Sequence, residues 1–559
     1  MGAKVSKACG ALSGREGPSD DCGERRHSQP GTAALHHAAT VPVAGAGRRQ
    51  ESLEWLNDLV ATLWPKVDLA VQKIVQEQVT PQLQASMPGP LKGTHFKKFT
   101  LGTVTPRLGP IELVKREDGL KLVLGVDYQS DVDIEIAAVV ASIGIKSIAL
   151  KGQLMIHLGP LIEESPVVGG MTAYFVDPPD LSLKFTGIGQ VAQFPGIAGM
   201  IRGQISAAIS NAVVLPNVVA VPLGTPEQGV DLARLKKPTP LAVLRATALR
   251  GKELAALDWN VMSKATSDPY VVISVANDKF QSSTIKANCN PEWTADNTHD
   301  FVVFDSDQHV WIEVFDEDKM SSSDFIGKAP KLKASSAKER QGLRSLQLSN
   351  PDKPEQNCGT LEMDFQWLSL LPFAPAEATG CVVSVEVRSL TLGPLGGKGN
   401  AGVESAAVKL TLCGQEKCTP VTAPPAPAPS SHSVAETLME VAKRCKARGL
   451  DQDAIAEISG LPKEDLEKAL EAGDASALAS RELPIHTAFY FSVPRTELEA
   501  QELAISAADK EEKVFATATL KLAELVAGKA QHLDKLQLAG GGQLDTDIEI
   551  SIFSLSPQK

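Results

Sequence analysis

At 559 residues and 59.3 kDa the chain exceeds what one hydrophobic core serves, and about three domains are expected from typical domain sizes. Its 43% hydrophobic and 22% charged residues are ordinary for a folded soluble protein. A net charge of −12 argues against a general nucleic-acid binder, which needs a basic face for the phosphate backbone.

The first ten residues, MGAKVSKACG, fit the M-G-x-x-x-[ST] pattern for myristoylation of Gly2, with Ser6 in the required place and Lys4 and Lys7 nearby. One acyl chain gives marginal, reversible membrane binding, and Cys9 offers a palmitoylation site as the second signal. Residues 1–50 hold seven Lys/Arg against four Asp/Glu with no sustained hydrophobic period, the pattern of a disordered, mildly basic tether. The eight cysteines lack metal-ligand spacing and no secretory h-region precedes them, so reduced thiols are expected. Apolar stretches such as IEIAAVVASIGI break off well short of the roughly 20 residues of a membrane-spanning helix.

From Glu51 a helical period begins: Leu53, Leu56, Leu59, Val60, Leu63, Val67, Val71, Ile74, Val75 and Val79 recur at three- and four-residue steps, with a kink expected at Pro65. After a turn-rich stretch the period becomes two. Leu120, Leu122, Leu124, Val126 and Tyr128 share one face; so do Val132, Ile134, Ile136 and Val140, and Ile148, Leu150, Leu154, Ile156 and Leu158. Such one-sided antiparallel strands bury an apolar face against something, and ordinary core packing accounts for any single residue among them.

The segments EWLNDLVATLWP, LKGQLMIHLGPLI, FVDPPDLSLKFTG, FPGIAGM and VVLPNVVAVPL, in order across residues 51–224, resemble the synaptotagmin-like mitochondrial lipid-binding (SMP) domain of extended synaptotagmins, tricalbins and plant synaptotagmins. Two departures stand out: SDVDI (Ser130 to Ile134) replaces a GDVDI-like stretch, and Met155 replaces a basic residue often seen there. The resemblance implies an α+β, TULIP-like curved antiparallel sheet on a long helix, usually dimeric, whose groove shelters glycerolipid acyl chains. Leu122, Leu124, Val126, Ile134, Ile136, Leu150, Leu154 and Ile156 are the expected lipid-binding residues.

Residues 225–239 read as a linker. SDPYVVISV, NPEWTADNTHDFVVF and HVWIEVFDEDKMSSSDFIGK then resemble a C2 domain over residues 240–372, an all-β sandwich. All five positions matching that family's calcium ligands are acidic: Asp258, Asp268, Asp316, Asp318 and Asp324. Hard carboxylate oxygens suit Ca²⁺, which takes six to eight of them and tolerates irregular geometry. An EF-hand does not fit, because Met320 stands at a ligand position and no glutamate closes a twelve-residue loop. A solvated acidic turn is the competing reading of three aspartates alone. Trp259, Val261, Met262 and Met320 are candidate membrane-inserting tips, or else pack on the end of the sandwich.

Beyond a linker at 373–379, residues 380–556 resemble a divergent C2-like sandwich interrupted by an insert at 423–483. Asp509 is the one remnant near its third-loop position, and no calcium site is expected there. The insert opens on APPAPAPSS, a polyproline-like spacer, and continues with three helical patterns over 433–472, the first capped by Ser433 with Glu436 and the last started by Pro462. These helices are either a protein-partner site or passive decoration. No G-x-S-x-G, histidine cluster or Cys/His pairing supports catalysis. The expectation is a calcium-regulated lipid-binding, lipid-transfer and tethering protein at membrane contact sites. It would sit on the cytoplasmic face of membranes, with endoplasmic reticulum–plasma membrane contacts a candidate location. The alternative is a calcium-dependent membrane scaffold without lipid transfer. The family's usual N-terminal hydrophobic hairpin is not matched, which leaves open the membrane holding the N-terminus.

Overall fold

A computed structural model describes residues 53–76, 80, 95–116, 118–137, 142–186, 197–257, 266–317, 323–371, 380–392, 403, 405–422, 443, 481–494, 500–524 and 531–555. Apart from residue 443, the expected helices at 433–472 lie outside these residues, as does the acylation pattern at Gly2 and Cys9.

Helix α1 (Glu54–Ile74) runs through Pro65 rather than ending there. Its polar side chains serve the backbone beside it. Asn57 receives Leu108 N–H at 2.8 Å and donates to Leu108 O at 3.2 Å. Asp68 accepts Leu101 N–H at 2.8 Å, and Trp64 Nε1 donates to Gly102 O at 3.1 Å. Backbone groups outside a strand ladder need partners, and positions 57, 64 and 68, one and two turns apart, supply them from one helix face.

The helix lies on a sheet of β1 (His95–Lys98), β2 (Arg107–Arg116), β3 (Gly119–Ser130), β4 (Ile134–Ala137), β5 (Ser142–Leu158), β6 (Gly170–Phe175), β7 (Asp180–Thr186) and β8 (Val219–Pro222). The order is β1-β4-β5-β3-β2, with β6 and β7 also on β5 and β8 on β6, every pair antiparallel. Helix α2 (Ile197–Val213) sets Ile201 into a cluster with Val132, Ile134, Ile136, Ile145 and Leu183. The expected linker is folded: a 3₁₀ turn at Pro226–Gln228 precedes α3 (Leu232–Leu235), whose N-cap Asp231 accepts Ala233 N–H at 3.0 Å.

The next body is a sandwich of β9 (Ala242–Lys252), β10 (Pro269–Val275), β11 (Asp278–Gln281), β12 (Thr298–Val303), β13 (His309–Asp316), β14 (Asp324–Lys328), β15 (Leu332–Lys333), α4 (Ser336–Glu339), β16 (Gly342–Gln347) and β17 (Thr360–Leu371). One sheet runs β11-β10-β13-β14; the facing one joins β12, β9, β17 and β16. Alternate residues fill the space between them, among them Val271, Ile273, Phe301, Val314, Ile326 and Phe365, each nearly inaccessible to solvent. A second sandwich follows: β18 (Gly380–Leu392), β19 (Ala406–Leu412), β20 (Gln415–Cys418), β21 (Arg481–Pro494), β22 (Glu502–Asp509), β23 (Val514–Lys521), β24 (Gln531–Gln537) and β25 (Gln543–Leu555). Strands β24-β25-β18-β21 face β20-β19-β22-β23 over a core that includes Val385, Leu410, Phe491 and Ile505.

The two sandwiches share a sheet. Leu368 to Leu371 of β17 pair antiparallel with Leu555 to Ile552 of β25, making one eight-stranded sheet. The first sandwich also docks on the amino-terminal sheet, where Phe304 packs among residues that include Phe175, Val214 and Leu215. Lys121 Nζ of β3 meets Asp305 Oδ2 at 2.5 Å with both side chains buried, and Asp177 accepts His309 N–H at 2.9 Å while its other oxygen lies 2.7 Å from His309 Nδ1. Arg388 reaches Asp231 at 3.5 Å, and Tyr490 donates its hydroxyl proton to Pro238 O at 2.6 Å.

Candidate functional site

Three of the five predicted acidic residues stand at one end of the β10-β13-β14 sheet. In register, Pro269 faces Asp316 and Asp316 faces Asp324, so Asp268, Asp316 and Asp324 terminate three neighbouring strands. One residue inward, Tyr270, Phe315 and Phe325 form a row, Tyr270 stacked on Phe315 at 5.7 Å and Phe325 edge-on to Phe315 at 5.5 Å. The aromatic row makes the strand ends a stiff base. Asp316 is buried and accepts Asp268 N–H through Oδ1 at 2.5 Å. Ser267 is fully buried: its hydroxyl donates to Ala255 O at 2.8 Å and accepts Leu257 N–H at 2.9 Å.

Two charged residues that sequence reasoning did not single out enter this end. Lys286 Nζ lies 3.2 Å from Asp268 Oδ2 and hydrogen-bonds Glu317 Oε2. The Lys286 ammonium holds the Glu317 carboxyl below its ordinary range, and Glu317, with Asp268, raises the ammonium in turn. Glu317 lies between Asp316 and Asp318 in the quoted acidic stretch, whereas nothing in the sequence places Lys286 there.

Asp258 and Asp318 lie outside the described residues, as do Trp259, Val261, Met262 and Met320. Among the described residues no three carboxylate, imidazole or thiol groups form a metal-holding set. The donor chemistry of Asp268, Asp316 and Asp324 at adjacent strand ends nevertheless fits a hard cation, which needs oxygens from several chain segments.

The predicted lipid-binding residues fall into two groups. Register places Leu113 of β2 opposite Leu122 of β3, and Leu122 opposite Ile156 of β5; Leu124 faces Leu154, and Tyr128 faces Leu150. Leu122, Val126, Leu150, Leu154 and Ile156 are only half-buried, Leu113 is 57% exposed, and Leu124 is buried. On α1, Trp55, Leu59, Leu63 and Val67 form an exposed stripe at four-residue steps. Ile134 and Ile136 differ: α2 and Leu183 close over them, so both belong to a solid cluster. Leu150 and Leu154 pack against the cluster of Phe175, Val214 and Leu215, so the open apolar surface lies towards the β2 side of the sheet, at Leu113, Leu122 and Ile156. Among the described residues no helix is long and apolar enough to cross a membrane.

Comparison with known families bears on this arrangement. Residues 49–224 match the synaptotagmin-like mitochondrial-lipid-binding domain and residues 242–346 match the C2 domain. Extended synaptotagmin-3 of Xenopus tropicalis is 32% identical over 329 residues, 58% of this chain and 36% of that protein. The chain therefore carries an SMP domain followed by a C2 domain, the two domain types that these comparisons match. Human extended synaptotagmin-2 is 31% identical over 332 residues, 58% of this chain and 35% of its own length. The chain thus spans about a third of the length of these curated relatives. A solved structure of the SMP domain of extended synaptotagmin-2 together with two of its C2 domains superposes with a TM-score of 0.56 at 20% identity, covering 90% of this chain and all of that one. That likeness gives the fold of both the SMP domain and the C2 sandwiches.

Proposed function

We propose that this SMP- and C2-domain protein is a calcium-regulated lipid-binding and lipid-transfer protein that tethers two membranes at a contact site. The observation that carries the reading is the half-open apolar face formed in register by Leu113, Leu122 and Ile156 and continued by Leu154 and Leu150, which pack against the Phe175 cluster, next to a sheet half closed over by α2 and Leu183. An aqueous face of that kind is disfavoured by roughly 25 cal/mol per Å² of apolar area, and acyl chains remove the penalty. Leu122, Leu124, Val126, Leu150, Leu154 and Ile156 line the lipid; Ile134 and Ile136 support it from the closed half.

At the other end of the chemistry, Asp268, Asp316 and Asp324, with Asp258 and Asp318, hold Ca²⁺. Bound calcium supplies positive charge that turns a repelling acidic end into one that accepts anionic lipid phosphate. Trp259, Val261, Met262 and Met320 then enter the membrane interface. Acylation at Gly2 and Cys9 holds the other membrane, residues 51–224 pair in a homodimer, and the 433–472 helices take a protein partner. No catalytic step is assigned.

Native mass spectrometry of the purified full chain tests the lipid reading, with Leu122→Trp and Ile156→Trp as variants that fill the face. Co-purified glycerolipid in the wild type, lost in the variants while their melting points hold, supports transfer. A wild-type chain that carries no lipid and extracts no fluorescent lipid from vesicles leaves the scaffold alternative. Sedimentation with phosphatidylserine vesicles tests calcium: binding that needs Ca²⁺ and is lost in Asp316→Asn is the expected result.

A further inference from the structure

Asp268 has both carboxylate oxygens engaged by the protein itself. Oδ1 accepts the Ala287 N–H at 2.7 Å, and Oδ2 lies 3.2 Å from Lys286 Nζ, which also hydrogen-bonds Glu317. Lys286 belongs to the connection between β11 and β12, so it reaches the strand ends from a separate part of the chain. Its backbone is pinned there. Ile285 N–H donates to Pro269 O at 3.1 Å and Asn288 N–H to Ser267 O at 2.9 Å, on either side of the lysine. Ala287 sits at φ 51°, a left-handed conformation that a non-glycine residue adopts only when its surroundings impose it. A lysine on a free loop samples many partners; this one is delivered to two carboxylates, Asp268 and Glu317.

We propose that Lys286 is the built-in counter-cation of the calcium-binding end: its ammonium stands on Asp268 when the metal is absent and must leave that oxygen when a divalent cation arrives, which sets the calcium threshold. The inference rests on the calcium reading above. It explains how Asp268, Asp316 and Asp324 are kept at adjacent strand ends without a metal, since one positive charge offsets part of their repulsion. Glu317 already holds the same ammonium at the rim, so its release from Asp268 does not require the lysine to leave the site altogether. A divalent ion about 2.4 Å from Asp268 Oδ2 would stand roughly 5 Å from an ammonium that stayed behind. In water the repulsion at that distance corresponds to about a tenfold weakening of binding, and salt screens it.

The experiment is calorimetric titration of the full chain with calcium chloride at low and high potassium chloride, comparing wild type, Lys286→Met, Lys286→Arg and, as the ligand control, Asp316→Asn. Lys286→Met should bind Ca²⁺ about tenfold more tightly at low salt, with a smaller gain at high salt. Lys286→Arg, which keeps the charge, should stay within about twofold of wild type. A readout without calcium accompanies it: in EGTA, Lys286→Met should melt below wild type, and saturating calcium should close the gap. Equal or weaker calcium binding in Lys286→Met, or an unchanged melting point in EGTA, overturns the proposal while wild-type binding keeps the calcium reading intact. Absence of heat in both wild type and Lys286→Met, anionic vesicles included, overturns both.

Discussion

The contact between the SMP sheet and the first C2 sandwich centres on Asp305, and Asp305→Ala is the perturbation that reads its strength. Asp305 Oδ2 gathers Lys121 Nζ at 2.5 Å, Arg116 at 3.4 Å and the Tyr174 hydroxyl at 3.3 Å, while Oδ1 accepts Asp307 N–H at 3.1 Å. Burial, and after it the Asp305 charge, pushes the Tyr174 phenol above its ordinary range. The Lys121 and Asp305 side chains are 3% and 1% exposed, so the alanine leaves a buried ammonium whose remaining carboxylate is Asp307 at 3.7 Å. Removing one member of a buried ion pair costs about 3–5 kcal/mol, and the Asp307 fallback places this case near the low end, about 3 kcal/mol. Native-state hydrogen exchange gives the local value: amides of β3 near Lys121 and of residues 303–310 should open more easily by that amount, with amides of β18 and β25 unchanged. Adding Lys121→Met should recover stability to within about 1 kcal/mol of wild type, because an apolar isostere removes the stranded charge. A loss below about 1 kcal/mol in Asp305→Ala, or no recovery in the double variant, would refute the reasoning.

Three further outcomes follow from the packing. Tyr490→Phe deletes the hydroxyl that donates to Pro238 O, and should cost about 1 kcal/mol in urea unfolding while leaving the edge-on contact of the ring with Phe304 in place. Gly359 stands at φ 79°, and a Cβ there would come 2.4 Å from the Lys252 and Glu253 carbonyl oxygens; Gly359→Ala should lower stability by more than about 2 kcal/mol, seen as a shifted first calorimetric transition. Burial pushes the Cys381 thiol up to about 12, so it should resist alkylation at pH 8 until the chain unfolds. The sign for stability follows: the contribution of Cys381 is intact below the ordinary thiol value of 9.0 and falls by about 1.4 kcal/mol per pH unit as pH rises from there towards 12, measurable as a declining unfolding free energy.

Local period is legible in a sequence, and partners distant in sequence are not. The alternation of Leu120 to Tyr128 and of Ile148 to Leu158 announces β3 and β5, yet their register is fixed only in the fold. Strand β2 escaped notice because a bulge between Leu108 and Ile111 breaks its alternation. Helix α2 carried a usable signal in Ile197, Ile201, Ile205 and Ile209, four residues apart. The stretch 225–239 reads as a loop from its Pro and Gly content, but Asp231 caps a helical turn that packs beside β8. Family positions brought Asp268, Asp316 and Asp324 to light, whereas Lys286 looks like any surface lysine until strand ends bring it to Asp268. Lys121 and Asp305 are 184 residues apart, so neither announces the other.

The shared sheet makes the covalent link between the two sandwiches partly redundant. A single scission between residues 371 and 380 would leave both fragments clasped by the rungs from Leu368–Leu555 to Leu371–Ile552. The same clasp uses up unsatisfied rim on β17 and β25 that could otherwise template a foreign strand. Force arriving at one sandwich therefore passes to the other through hydrogen bonds as well as through the tether.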